Sequence, residues 1–295
     1  MNAITAAGAV TRAHDVCALP LVRRIAAMLD RDPEALREGD LLPRAWHTAL
    51  FNAPTRQSQL RADGAADLGV NLPDIGLPRL MLAGRQNQFH GDIPIGARLR
   101  RETRQAEVQL KQGRSGRFAL IKVEHRIFVE DTAQHAVTEQ LDYVLREAGA
   151  SAAPSAAAPA TGAAASGSAA ATGGAAPAIE AVAVAASQTL IPDARLLFRY
   201  SAITDNPHRI HYDHAYATGV EGYPALVVNG SIPAMFLLEL FRARAGREPA
   251  SFSSRNVAPM FCGQALQLQV RQETSDWHLW ATDAAGRLAF DARAT

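Results

Sequence analysis

The chain has 295 residues, 48% of them hydrophobic and 20% charged, enough apolar material to bury one large core or two ordinary ones. Thirty Lys and Arg stand against 29 Asp and Glu, a balance that argues against a broad electrostatic grip on nucleic acid or on an anionic membrane. Cys17 and Cys262 lie far apart and form no Cys-x-x-Cys pair, which leaves no disulfide framework and no thiolate zinc site without other ligands. No apolar run reaches the roughly 18 residues of a membrane-spanning helix, and Met1 to Val10 lacks a basic start, so a cytoplasmic protein is expected.

In chain order, Val16, Leu19, Leu21, Val22, Ile25, Ala26 and Leu29 fall mostly on one stripe and predict a helix ending at Asp30 to Pro33. A short apolar segment follows at 46–51. From residue 77 the texture becomes that of strands: 81–89, 99–110, 118–129 and 133–145, joined by glycine-containing turns, which predicts an antiparallel sheet. Residues 148–179 carry no charged and no aromatic side chain and are punctuated by Pro154, Pro159 and Pro177. Such a stretch buries too little to offset its ordering entropy and reads as a linker between an N-terminal unit (1–147) and a C-terminal unit (180–295).

The second unit predicts a strand at 196–203, a polar loop, an apolar helix at 230–244, and strands at 252–256, 264–273, 277–282 and 288–292. One helix wrapped by an antiparallel sheet is an α+β solution, and both halves read as the same kind of unit, the first degenerate.

The densest polar cluster runs Thr204–Asp205–Asn206–Pro207–His208–Arg209–Ile210–His211–Tyr212–Asp213–His214. A solvated loop, with an Asp205–Asn206–Pro207 turn and Asp213 as a helix cap, accounts for much of it. The loop nevertheless feeds Asn229–Gly230–Ser231, a glycine-marked entry to the apolar helix. Free N–H groups and a positive dipole end there offer an oxyanion site, open to a carbonyl oxygen because glycine has no side chain. A glycine that only permits tight packing is the competing reading. His208, His211, Asp213 and His214 also offer metal-type ligands, but i to i+3 spacing gathers them only in a helix, and Pro207 argues against one.

On these residues the chain resembles the MaoC-like, R-specific enoyl-thioester hydratase family of double hotdog fold. The carrying motifs are Tyr200–Ser201–Ala202–Ile203–Thr204, Asn206, His208 to Asp213, Tyr216–Ala217, Glu221–Gly222–Tyr223–Pro224 and Gly230. Asp30–Arg31–Asp32–Pro33, Leu42–Pro43, Trp46–His47 and Pro78–Arg79-x-x-x-Ala83–Gly84 extend it into the first half. It is similar to the branch holding mesaconyl-C4-CoA hydratase, itaconyl-CoA hydratase and fungal mitochondrial 3-hydroxyacyl-thioester dehydratase.

The resemblance implies two fused hotdog units and reversible hydration of an α,β-unsaturated acyl thioester, with no metal and no cofactor beyond the CoA of the substrate. His211 is the implied base and acid, and Gly230 polarises the thioester carbonyl. The family's catalytic Asp, five residues before the His, is here Asn206. Asp205 in a gapped alignment, or Asp213 orienting the His211 ring, are the other candidates for its partner.

Substrate contacts are expected from Tyr200, Tyr212, Asn229 and Ser231, and a free substrate carboxylate from Arg209, Arg199 or Arg255. Arg79 and Arg85 are placed against the CoA phosphates. The implied product is citramalyl-CoA, the alternatives being fatty 3-hydroxyacyl-thioester dehydration, a hotdog thioesterase or a non-catalytic acyl-CoA-binding protein. An acyl-CoA is the expected partner, with homodimer formation left open.

Overall fold

The computed structural model describes residues 10–147, except 53, 66–75, 78, 114–115 and 131, and residues 184–295. The stretch 148–179 lies outside the described residues. The first half contributes β1 (Thr11–Val16), α1 (Leu19–Met28), β2 (Arg79–Phe89), β3 (Arg98–Gly113), β4 (Gly116–Val129) and β5 (Val137–Arg146). The second contributes β6 (Ala186–Leu190), α2 (Ala194–Ile203), α3 (His214–Gly219), α4 (Ser231–Ala245), β7 (Ser251–Asn256), β8 (Leu266–Gln272), β9 (Trp277–Thr282) and β10 (Leu288–Ala294).

All ten strands form one sheet in the order β1-β3-β4-β5-β2-β7-β10-β9-β8-β6. Read inward from either edge, each half runs first, third, fourth, fifth, second strand, so the duplication inferred from texture is visible in the topology. The halves meet where β2 pairs antiparallel with β7, from Gly84 opposite Arg255 to Gln88 opposite Ser251. Two fused hotdog units sharing one continuous antiparallel sheet make the α+β architecture.

In the second half the sheet wraps α4. Ile232, Met235, Leu237, Leu238 and Phe241 are buried, as are Leu266, Leu268, Val270, Leu279 and Ala281 on β8 and β9, with which α4 packs. Each such side chain contributes about 1.5–3 kcal/mol on burial. The helix ends at Gly246, whose φ of +65° suits glycine and lets its N–H reach the Arg242 carbonyl at 3.0 Å.

The first half departs from this plan. The α-helix described ahead of β2 is α1, which ends far upstream at Met28 and packs against α2, whereas α4 ends at Ala245, just before β7. The face that such a helix would cover instead carries a row of buried polar residues set by strand register. Asn87 stands opposite Glu139, Glu139 opposite His125, and His125 opposite Thr103, across β2, β5, β4 and β3. Two residues back on the same face of their strands lie Arg85 and Arg101.

Two sequence expectations need correction. The segment read as a strand at 196–203 is helix α2. Asp193 accepts the Leu196 N–H at 2.9 Å as an N-cap, and Leu197, Tyr200 and Ser201 share the buried face at helical spacing. The two edge strands, β1 and β6, fall where the sequence predicts none: both are largely exposed, lack apolar alternation and are held by backbone pairing, to β3 and β8.

Candidate active site

The polar loop descends from α2, turns at Asp205 (φ +44°) and closes on a single 3-10 turn, Arg209–His211, before α3. This turn seats His211 at 7% exposure. The Val227 N–H donates to the Ile210 carbonyl at 2.9 Å, while the His211 Nδ1 lies 2.8 Å from the Val227 carbonyl. A carbonyl only accepts, so Nδ1 carries the proton and Nε2 is the basic nitrogen. Burial pulls the His211 pKa down from 6.5 to about 4; the Val227 bond opposes that, and the neighbouring His208 reinforces it. The ring is therefore neutral at ordinary pH and able to accept a proton.

Helix α4 begins beside it. The Asn229 Oδ1 accepts the Ser231 N–H at 3.1 Å, and the Asn229 carbonyl accepts the Ile232 N–H at 2.9 Å. The Gly230 N–H carries no hydrogen bond among the described residues. Glycine is required here by a close approach: a Cβ would lie 2.4–2.7 Å from the side-chain amide of Asn256, itself anchored through Nδ2 to the Leu82 carbonyl at 3.1 Å. Both readings of Gly230 thus apply, an open amide and a tight packing point. Asn256 carried no signal in the sequence.

His211, Gly230, Asp205, Asn206, His208, Tyr200, Asn229 and Ser231 line one cavity of about 440 Å³, large enough for a thioester and its acyl group. Asn206 is held by its own loop: its Oδ1 accepts the His208 N–H at 3.1 Å, and its N–H donates to Ser201 at 2.9 Å. Tyr200 is buried, and the Ser231 hydroxyl hydrogen-bonds to its side chain.

The opposite wall comes from the first half: His47, Arg85, Arg101, His125, Glu139 and Tyr143. The Arg85 Nη1 donates to the Glu139 Oε1 at 2.6 Å, and the His47 Nε2 is 3.5 Å from the same oxygen. Burial alone would push the Glu139 carboxyl up, but Arg85 and His47 outweigh it and hold the group well below the usual carboxylate range. His125 is pulled down to about 4, chiefly by burial. Of this wall the sequence gives His47 only as part of a motif and assigns a substrate role to Arg85 alone, which is turned against Glu139 rather than set out toward phosphates.

Several expected residues lie elsewhere. Asp213 does not orient His211: its Oδ1 caps α3 through the Tyr216 N–H at 3.0 Å, and its Oδ2 takes both Nε and Nη2 of Arg209, at 3.0 and 2.8 Å. Arg209 is consumed by that fork and by stacking 4.0 Å over the Tyr216 ring. Neither lines the cavity. Arg255 pairs with Asp291 at 2.7 Å, Arg199 is exposed on α2, and Tyr212 is 51% exposed; none of these three lines the cavity. Arg79 opens β2, and its side chain lies outside those described. Among the described residues no group of three or more His, Cys, Asp or Glu is placed to hold a metal ion.

The family model described as hydroxyacyl-thioester dehydratase type 2 matches residues 45–262. The mesaconyl-C(4)-CoA hydratase of Chloroflexus aurantiacus is 36% identical over 281 residues, covering 94% of this chain and 91% of that one. The mitochondrial hydroxyacyl-thioester dehydratase type 2 of Schizosaccharomyces pombe is 33% identical over 94 residues, 31% of each chain. Two solved structures share the fold: a MaoC-like dehydratase from Phytophthora capsici (TM-score 0.67, 13% identity, 98% and 95% covered) and HtdX of Mycobacterium tuberculosis (TM-score 0.63, 16% identity, 97% and 99% covered). The chain belongs to the hydroxyacyl-thioester dehydratase type 2 family, hydro-lyases of MaoC-like double hotdog fold.

Proposed function

We propose that this hydro-lyase adds water to a C5 dicarboxylic enoyl-CoA, mesaconyl-C4-CoA first and itaconyl-CoA second, to give citramalyl-CoA. The observation that carries the reaction is the sharing of one cavity by the basic Nε2 of His211 and the open N–H of Gly230. The thioester carbonyl rests against that N–H at the positive end of α4. Water held beside Asn206 and Asp205 attacks the β-carbon while its proton passes to Nε2. In mesaconyl-C4-CoA the π electrons shift toward the thioester oxygen and the imidazolium returns the proton to the α-carbon; in itaconyl-CoA the proton must instead go to the terminal methylene. One water enters, no electron leaves, and no redox cofactor is called for. The dicarboxylic acyl group is supported by the similarity to mesaconyl-C(4)-CoA hydratase along nearly the whole chain.

The test is incubation of the purified chain separately with mesaconyl-C4-CoA, itaconyl-CoA and crotonyl-CoA, followed by mass spectrometry for gain of one water and for free CoA. Hydration of mesaconyl-C4-CoA in preference to crotonyl-CoA is the expected result. Preference for crotonyl-CoA would transfer the assignment to fatty 3-hydroxyacyl-thioester dehydration, free CoA without hydrate to a thioesterase. No reaction at all would leave an acyl-CoA-binding protein.

A further inference from the structure

We infer that Arg101, on β3 of the first half, is the receptor for the free carboxylate of the substrate; this deepens the dicarboxylic reading and rests on it. The cavity wall made by the first half has unequal cations. Arg85 is neutralised by Glu139 at 2.6 Å. Arg101 also lines the cavity, yet its Nε is buried without a hydrogen-bond partner, and among the described residues no carboxylate lies within ion-pairing distance of its guanidinium. The charges of Glu139 and Asp15 reach it from beyond that distance, but Glu139 is already engaged by Arg85 and His47, and Asp15 accepts the Phe51 N–H.

A half-buried cation whose Nε is shut away from solvent and unpaired is costly, and an entering carboxylate answers that cost with a bidentate, charge-assisted contact. Burial accordingly pulls the Arg101 pKa down from the usual guanidinium range. The side chain is also steadied: its guanidinium sits 5.0 Å from the centroid of the Phe51 ring. Phe51 is itself held at φ +60° by an N–H bond to the Asp15 carboxylate at 2.5 Å.

The wall is in register with the chemistry. From the Gly230 end, Ser231 meets Tyr200, and Tyr200 feels the charges of both Arg85 and Glu139. A carboxylate on the β-carbon, as in mesaconyl-C4-CoA, therefore points from the helix terminus toward this wall. Arg146 lines the same cavity, but it stands seven residues from Glu139 along β5, roughly 23 Å at the strand rise, beyond the reach of a short acyl group.

Equilibrium binding separates this proposal from the hydratase reading. Succinyl-CoA and butyryl-CoA differ at the β-carbon by a carboxylate against a methyl group, and neither can be hydrated. The wild-type chain is expected to prefer succinyl-CoA by about 10- to 150-fold, the ratio that a charge-assisted contact gives. Arg101→Gln and Arg101→Met should bring the ratio to within about threefold while leaving butyryl-CoA affinity unchanged, and Arg146→Gln should leave the ratio intact. Folding is checked by thermal melts; the methionine variant is expected to melt no lower than wild type because it removes a half-buried charge that has no ion-pair partner among the described residues. A wild-type chain without preference, or an Arg101→Gln variant that retains it, overturns the assignment. Failure of the wild type to hydrate mesaconyl-C4-CoA would instead strike the hydratase reading, which the binding ratio does not test.

Discussion

The His211 ring is fixed by the carbonyl of Val227, 2.8 Å from Nδ1, and by no carboxylate among the described residues. A backbone acceptor sets the tautomer without adding a negative charge, so nothing opposes burial strongly enough to keep the imidazolium form. The base proposed for the reaction is thus a neutral, weakly basic imidazole over the whole physiological range.

This has a kinetic signature. Because the pKa is held at about 4, kcat/KM for hydration should be level from about pH 5 to 8 and fall only as Nε2 becomes protonated below that. An acid limb centred near 6.5 in a pH–rate profile would show that His211 is not the titrating base. His211→Gln, which keeps a donor toward Val227 but has no basic nitrogen, should lower kcat by about 10²- to 10⁴-fold with the fold retained.

Stability should follow the same groups. His211 and His125 have folded-state values near 4, against 6.5 for an unfolded histidine. Between those limits the unfolded chain binds more protons, so stability is full above 6.5 and is lost as pH falls toward 4. The two groups together correspond to a few kcal/mol. Glu139, held low in the folded state, adds a further loss once pH drops below the ordinary carboxylate range. Urea melts at pH 7 and pH 5 would measure the effect; equal stabilities would contradict it, and His125→Gln should remove roughly half of the difference.

How much of this was legible depended on whether the signal was local. α4 and the strands after it announce themselves by an apolar run and glycine turns, and His211 with Gly230 sits in one contiguous motif. The α2 helix was misread because Leu196 to Ile203 is short and apolar enough for either element, and the deciding cue, the Asp193 cap, lies just upstream. The cavity wall had no such cue. Asn87, Glu139, His125 and Thr103 are separated by many residues in sequence and become neighbours only through strand register. Arg209 misled for the opposite reason: adjacency to the motif suggested a ligand contact, whereas its i+4 partner Asp213 already fills its fork.

That pairing makes Arg209 a discriminating control. Arg209→Ala should loosen the loop and α3, since it breaks the Asp213 fork and the Tyr216 stack. At a partly exposed pair the cost is about 1 kcal/mol. The ratio of kcat/KM for mesaconyl-C4-CoA over crotonyl-CoA should nevertheless change less than about threefold, because the side chain lies outside the cavity. A collapse of that ratio would return Arg209 to the substrate.

Gly230 offers the sharpest test of the oxyanion site, since its two roles can be separated. Gly230→Ala places a Cβ 2.4–2.7 Å from the Asn256 amide, so either the amide or the start of α4 must move. Overpacking of this kind costs about 1–3 kcal/mol, and displacement of the N–H donor should lower kcat by about 10²- to 10³-fold. Trimming the obstacle with Asn256→Ala in the same chain should restore the thermal midpoint. If packing were the whole story, Gly230→Ala would lower stability and leave kcat little changed. If the amide works as an oxyanion donor, kcat should fall with KM largely retained, and rate and stability should return together in the double variant as the N–H regains its place.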